Sequence, residues 1–218
     1  MSVSLCNVQV NLQGEALFSA LSITLRGGEL LAIMGPSGCG KSTLLAAIAG
    51  SLSSELTLTG EILLAGRRIE ALPMQQRGIG IQFQEDLLFP HLNVAGNLLF
   101  ALARGKGKEA KVQRQKAVAQ ALESAGLAGF EQRDVATLSG GQKARVSLLR
   151  TLLAKPKLLL LDEPFSRLDD QRRSEFRAFV FDQVKQMNIP AILVSHDQQD
   201  CPNDRYYSLE SGQFHNVS

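Results

Sequence analysis

The segment "GPSGCGKST", Gly35 to Thr43, places three glycines, a lysine and two hydroxyl side chains in the spacing G-x-x-x-x-G-K-[ST]. Gly35, Gly38 and Gly40 let backbone N–H groups turn inward around a polyphosphate. Lys41 would bridge the outer phosphates, and the Ser42 hydroxyl would ligate Mg²⁺. Cys39 needs no chemistry there, only small size, and the whole loop, including Pro36, Ser37 and Thr43, is the expected cofactor-binding surface. A second stretch, "LLLLDE", ends a run of leucines in two adjacent carboxylates, Asp162 and Glu163. On a strand, neighbouring side chains point in opposite directions, so the two acids cannot share a task. Asp162 would hold Mg²⁺ directly or through water, and Glu163 would reach the attacking water as general base or orienting group. A third stretch, "TLSGGQKARVSLLR" from Thr137 to Arg150, opens another helix on a glycine pair, with no lysine inside the turn.

Such groups need rigid supports. The unbroken apolar run Leu30–Met34 ends at Gly35, which fits a strand buried on both faces, and "LLAAIAG" after the loop reads as a helix whose positive end faces the phosphates. "KPKLLLLDEP" and "IPAILVSHD" are further buried strands, while "LCNVQVNL" and "LSITL" alternate as short antiparallel ones. "GEILLAG" and "RGIGIQFQ" add two more strands. From Asp86 to Gln132 the pattern turns helical: Val112, Ala117, Val118, Ala121, Leu122 and Ala125 share a face, and Gly126 stops the helix. Arg104 to Lys116 reads as a solvated, charge-rich surface. Strand and helix alternation predicts an α/β fold with ligands beyond the carboxyl ends of the strands.

Composition excludes more than it assigns. With 218 residues, 44% apolar and 20% charged, one globular domain is expected. A net charge of +2 with no basic block gives no sign of nucleic acid as a partner. Cys6, Cys39 and Cys201 are three, widely spaced and without a CxxC, which predicts neither a disulfide framework nor a zinc site. No run approaches the ~20 apolar residues that span a bilayer, so a membrane role would be borrowed from a partner.

"GPSGCGKSTLL", "FQEDLLFPHLNVAGNL", "LSGGQKARV", "LLLLDEPFSRLD" and "VSHD" together resemble the ordered motif set of ABC ATPases. The resemblance covers essentially the whole chain. It implies a P-loop NTPase fold: a RecA-like core sheet, an N-terminal antiparallel β subdomain and an inserted α-helical subdomain. The expected ATP-binding core is 1–85 with 138–218, and the helical signature subdomain 86–137. In this family two subunits pair head to tail, and the signature of one closes over the nucleotide of the other. The resemblance therefore implies that Ser139, Gly140, Gly141 and Gln142 face ATP held by the Lys41 loop of a second copy. It also implies Gln84 as the glutamine that touches Mg²⁺ or the water, His196 as the switch histidine on the γ-phosphate, and Asp169 as the D-loop aspartate linking the two sites.

"RGIGIQFQ" followed by "LFPHLNVAGNL" is most similar to ATP-binding subunits of bacterial importers. That implies transmembrane permease subunits, a periplasmic or extracellular solute-binding protein, and a peripheral place on the cytoplasmic face of the inner membrane. An export ATPase is the nearest alternative. A nontransport ABC ATPase would be expected to bring a coiled-coil insertion or a tandem cassette, and a P-loop kinase would have no use for "LSGGQ". Leu87, Leu88 and Phe89 are candidates either for the permease-docking surface or for core. Leu12 stands where the family stacks an aromatic ring on adenine, with Phe18 the aromatic alternative nearby. Arg167 replaces the family's usual alanine, either pairing with an acid across the dimer or facing solvent. Pro202 is expected to truncate a helix after His196, and His215 to lie in a terminal tail.

Overall fold

The computed structural model describes residues 1–103, 107–201 and 206–217, so Arg104 and Pro202, on which two expectations fall, lie outside the described residues. The chain packs as two units: Met1–Ile81 with Lys157–Glu163 and Phe181–Ser218, and Gln82–Pro156 with Pro164–Val180.

In the first unit, β1 (Ser2–Leu12) pairs antiparallel with β2 (Glu15–Ala16), β3 (Leu21–Arg26) and β5 (Leu56–Leu64). Val3 and Leu5 are buried on β1, then Val8 and Val10. That slip from odd to even positions coincides with a register shift between Leu5 and Val8, where Asn7 has φ +51°. An extra residue turns the rest of the strand over, and the apolar alternation follows it.

The second sheet carries the candidate site. β4 (Leu30–Met34) is flanked by β9 (Ala191–Ser195) and β10 (Tyr206–Glu210), both parallel to it. β8 (Leu158–Asp162) lies parallel to β9, with β7 (Ile79–Gln82) beyond it. Leu158–Leu161 and all of β9 are buried, which is why these strands read as unbroken apolar runs. Met34 lies opposite Ser195 and Asp162 opposite Val194. Gly35, Asp162 and His196 therefore emerge at one edge of the sheet, as parallel topology requires.

α1 (Lys41–Ala49) follows that edge, and Leu44, Leu45 and Ile48 enter one core with Val3, Leu5, Leu158, Leu160, Ile192 and Val194. β6 (Arg67–Arg68) pairs with β5, and β11 (Gln213–Val217) pairs antiparallel with β10. His215 thus lies in β11 opposite Ser208, not in a loose tail: Ser211 and Gly212, at φ +49° and +74°, make the tight turn that returns the chain.

In the second unit, α2 (Val94–Ala101), α3 (Gly107–Ser124) and α4 (Gly140–Leu153) bury Val94, Leu98, Val118, Leu122, Val146, Leu148, Leu149 and Leu152. α3 ends before Gly126, which has φ +69°. Val112 departs from the expected face, being 61% exposed. Lys111, Gln113 and Lys116 are exposed around it, so hydration of the charged run holds Val112 in water, and the buried stripe starts at Val118 with Ala117 half-buried. α5 (Asp170–Met187) begins in this unit and ends in the first.

Candidate functional site

α1 begins at Gly40, which has φ +104° and offers no side chain to the first-turn N–H groups. A Cβ at Gly40 would also lie 3.0 Å from the Phe18 ring. The position thus demands glycine for conformation and for space. Lys41 is 5% exposed, and its ammonium donates to the carbonyls of Gly35 (2.8 Å) and Pro36 (2.9 Å). One cation and the positive end of one helix converge at the mouth of the loop, the arrangement that binds phosphate.

Four of the expected groups gather beside it. The Ser42 hydroxyl donates to Asp162 Oδ1 at 2.9 Å, and His196 Nδ1 lies 3.3 Å from Glu163 Oε2. Burial pushes the Asp162 carboxyl above the usual carboxylate range, and the neighbouring Glu163 adds to this, while the Ser42 hydrogen bond and Lys41 oppose it. A half-buried carboxylate whose charge is disfavoured, paired with a hydroxyl, is a hard-oxygen donor set that fits Mg²⁺ bound largely through phosphate and water. Glu163 has φ +47°, a conformation that costs a non-glycine residue on the order of 1 kcal/mol. Its N–H donates to Val194 O at 3.0 Å, so β9 holds the strained residue in place.

Two supports were invisible in the sequence. Ser195 and Asp200 are both buried; the Ser195 hydroxyl donates to Asp200 Oδ2 at 2.6 Å and accepts from Asp197 N at 3.1 Å, fixing the backbone on either side of His196. Arg77 is 6% exposed and donates to Leu72, Ala47, Ile48 and Glu70 carbonyls at 2.8–2.9 Å. Ala47 and Ile48 belong to the last turn of α1, where Ala47 O has only the C-cap Gly50 N–H at 3.3 Å from the helix itself. The guanidinium caps the far end of the helix that opens the phosphate loop. An arginine before glycine reads in sequence as surface charge, and nothing local marks its four acceptors, 5 to 30 residues away.

Leu12 ends β1 and is 38% exposed. Phe18 is 1% exposed, under Gly40 and edge-on to Phe214 at 5.4 Å. It is a floor for the loop and has no face free for adenine.

The remaining expected residues belong to the second unit. Gln84 is exposed. Arg167 faces solvent, one of the two expectations for it, and pairs there with Glu85 of the same chain at 2.9 Å, both well exposed. Such a pair contributes about 0.2–1 kcal/mol. Asp169 accepts from Arg172 N (3.1 Å) and lies 3.2 Å from its Nη1, at the start of α5. Ser139 caps α4: its hydroxyl oxygen accepts from Gln142 N while the Gln142 side chain accepts from Ser139 N. The cap uses only the oxygen, leaving the Ser139 O–H proton for another acceptor. Leu148, Leu149 and Leu152 are core. Leu87 is exposed, with Leu88 and Phe89 half-buried. Leu87, Phe89, Phe100, Ala101, Arg150 and Thr151 line a groove of about 450 Å³.

The ABC transporter family model matches residues 18–166. The chain is 50% identical over 199 residues to the ABC transporter ATP-binding protein YnjD of Escherichia coli, covering 91% of this chain and 90% of that one. It is 43% identical over 184 residues to the Fe(3+) ions import ATP-binding protein FbpC of Haemophilus influenzae (83% of this chain, 51% of that one). It is 36% identical over 217 residues to the spermidine/putrescine import ATP-binding protein PotA of Mesoplasma florum (99% and 61%). The chain thus spans nearly all of YnjD but half to three-fifths of the import subunits. The solved structure of CbiO1 from Clostridium perfringens, part of the ABC transporter complex CbiONQ, superposes with a TM-score of 0.85 at 27% identity, covering 99% of this chain and 87% of that one. Among the described residues no helix is long and apolar enough to cross a membrane. The chain belongs to the ABC transporter family as an ATP-binding subunit, and the members of that class are ATPases.

Proposed function

We propose that this chain hydrolyses MgATP in a head-to-tail pair of two copies and drives solute import through transmembrane permease subunits, as a peripheral protein on the cytoplasmic face of the membrane. The observation that carries the reading is the Ser42–Asp162 and Glu163–His196 pairing beside the Lys41 loop. Lys41 and the α1 N-terminus bind the phosphates. Ser42, Asp162 and Gln84 would hold Mg²⁺, which supplies charge neutralisation of the phosphates when bound. Glu163 orients or deprotonates water, with the neighbouring His196 directed at the γ-phosphate. Because positioning and charge stabilisation dominate phosphoryl transfer, these fixed groups can lower the barrier without a covalent intermediate.

A lone loop leaves one side of the γ-phosphate open. The Ser139 hydroxyl proton and the N–H groups of Gly140, Gly141 and Gln142 at the head of α4 are donors suited to that side, contributed by the second copy. Asp169 would link the two sites. Closure is then favoured by ATP and released by hydrolysis. The groove between Leu87 and Phe100 is where a permease would sit. FbpC and PotA are named for import, and a periplasmic or extracellular solute-binding protein would complete such a system.

The test is Glu163→Gln. It should bind ATP as the wild type does, turn it over several orders of magnitude more slowly, and shift from monomer to dimer on adding ATP. Wild-type hydrolysis would remove Glu163 from its role; ATP binding with no change in molecular mass would refute the paired arrangement. Recovery of the chain with a permease and a binding protein would favour import over export.

A further inference from the structure

Gln82 and Ser147 are a buried polar pair in the second unit, 2% and 3% exposed, to which no step above gives a part. The Ser147 hydroxyl lies 3.1 Å from Gln82 Oε1 and 2.7 Å from the carbonyl oxygen of Asp86, donating toward both. A hydroxyl has one proton. It serves the two acceptors in turn, or completes a chain of bonds when the Gln82 amide turns its Nε2 toward the serine. A serine inside a helix ordinarily bonds to a carbonyl of its own preceding turn, as Thr151 does to Ser147 O at 3.2 Å. Ser147 instead reaches across to another segment. One turn on, Arg150 donates to Leu87 O at 2.9 Å and to Asp86 O at 3.3 Å. The stretch from Gln82 to Leu87 is therefore gripped at both ends by α4, and Gln84 lies inside the gripped stretch.

We infer that Ser147 is a positioning residue for hydrolysis: through Gln82 and the Asp86 carbonyl it fixes Gln84 to the helix whose first turn is Ser139–Gln142. Ser139 and Ser147 are eight residues apart on one continuous helix, roughly 12 Å of rigid rod. A displacement of the glutamine loop then moves the signature turn with it, and the two reach the nucleotide sites together or not at all. An apolar pair would fill the same space without fixing direction, whereas hydrogen bonds hold one geometry. The inference rests on the role proposed for Gln84.

The experiment compares Ser147→Ala, Gln82→Met and the double variant by thermal unfolding and by steady-state ATP hydrolysis of the purified chain. Ser147→Ala leaves the buried Gln82 amide without the hydroxyl and lowers the unfolding midpoint, whereas Gln82→Met leaves the Ser147 hydroxyl on the Asp86 carbonyl and lowers it less. The double variant removes the buried amide as well, so its midpoint rises above that of Ser147→Ala. Under the positioning role kcat stays down by about three- to tenfold in the double, with KM for ATP within about twofold of wild type, because the geometry is still lost. If kcat recovers together with stability, the pair is only structural and the inference is overturned. Gln84→Ala separates the two levels. If it leaves kcat unchanged, the role of Gln84 falls and the inference with it; if it lowers kcat while the double variant does not, only the inference falls.

Discussion

Gly141→Ala asks whether the second glycine pair serves this chain or another. Neither Gly140 nor Gly141 is among the residues with positive φ. A Cβ built on Gly141 would meet the Arg172 side chain at 3.8 Å, and one on Gly140 would meet Leu168 Cδ2 at 3.6 Å, both ordinary contact distances. Nothing in the fold therefore requires glycine here. Helix propensity opposes it, since alanine is better than glycine by about 0.8–1.0 kcal/mol in a helix interior and by less in the first turn. The variant should be as stable as the wild type or up to about 1 kcal/mol more so, a rise of roughly 0–4 °C in midpoint for a chain of this size.

Activity should move the other way. If the head of α4 closes on the γ-phosphate of a second copy, a methyl group there holds the N–H donors away from it. Losing one hydrogen bond to a charged group forfeits about 1.5–3 kcal/mol, equivalent to roughly 10–150-fold in kcat/KM. ATP binding to a single copy should be unchanged, because Lys41 and its loop are untouched. Calorimetric unfolding, steady-state hydrolysis and equilibrium nucleotide titration together read all three quantities. A variant that is stable and hydrolyses ATP at the wild-type rate would refute the argument that these glycines face nucleotide. A loss of more than about 1 kcal/mol in stability would instead return them to this chain's own packing.

Asp162→Asn should raise the unfolding midpoint at pH 7 in the absence of Mg²⁺ and nucleotide while abolishing hydrolysis. Burial raises the Asp162 pKa, so the stability it contributes is full below the unfolded carboxylate value of about 3.9 and is lost as pH rises through the folded value. The variant's advantage must then vanish near pH 4, and an equal advantage at both pH values would contradict the sign. Arg77→Met removes the guanidinium from two buried and two half-buried carbonyls, of which Ala47 O keeps the Gly50 N–H, and should cost about 3–5 kcal/mol in urea unfolding. Arg77→Lys should recover less than half of that, since an ammonium cannot match the fork geometry; full recovery would show that charge alone suffices. Leu12 can cover a base but cannot stack on it, a difference on the order of 1 kcal/mol, so ATP and GTP should be hydrolysed within about tenfold of each other. A larger preference for ATP would remove Leu12 from the adenine site.

What the sequence made legible follows a physical division. β4, β8 and β9 were plain because strands covered on both faces are apolar at every position, and the candidate site residues Gly35, Asp162 and His196 stand where each run breaks. The Lys41 loop and the helix opening at the Gly140–Gly141 pair were plain because their geometry is made within a few residues, so spacing encodes it. Arg77, Gln82 and Ser147 were not, because their partners lie 5–30 residues and 65 residues away. A polar side chain in a strand or helix carries no local mark of whether water or a buried carbonyl receives it. Phe18 failed for a related reason, since proximity in the chain to the adenine position says nothing about which layer a ring enters, and the ring went beneath Gly40. Val112 looked like core because periodicity counts apolar positions without weighing the hydrated charges around them. His215 is different, because its signal was present: "SLESGQFH" alternates about a Ser-Gly turn, and reading it as a hairpin needed only the rule that a two-residue loop with both φ values positive closes one. Residues that perform the reaction tend to sit at element ends, where sequence speaks. Residues that hold the fold are bonded across it, Ser147 from within α4 and Arg77 from the segment before β7, and sequence spacing marks neither bond.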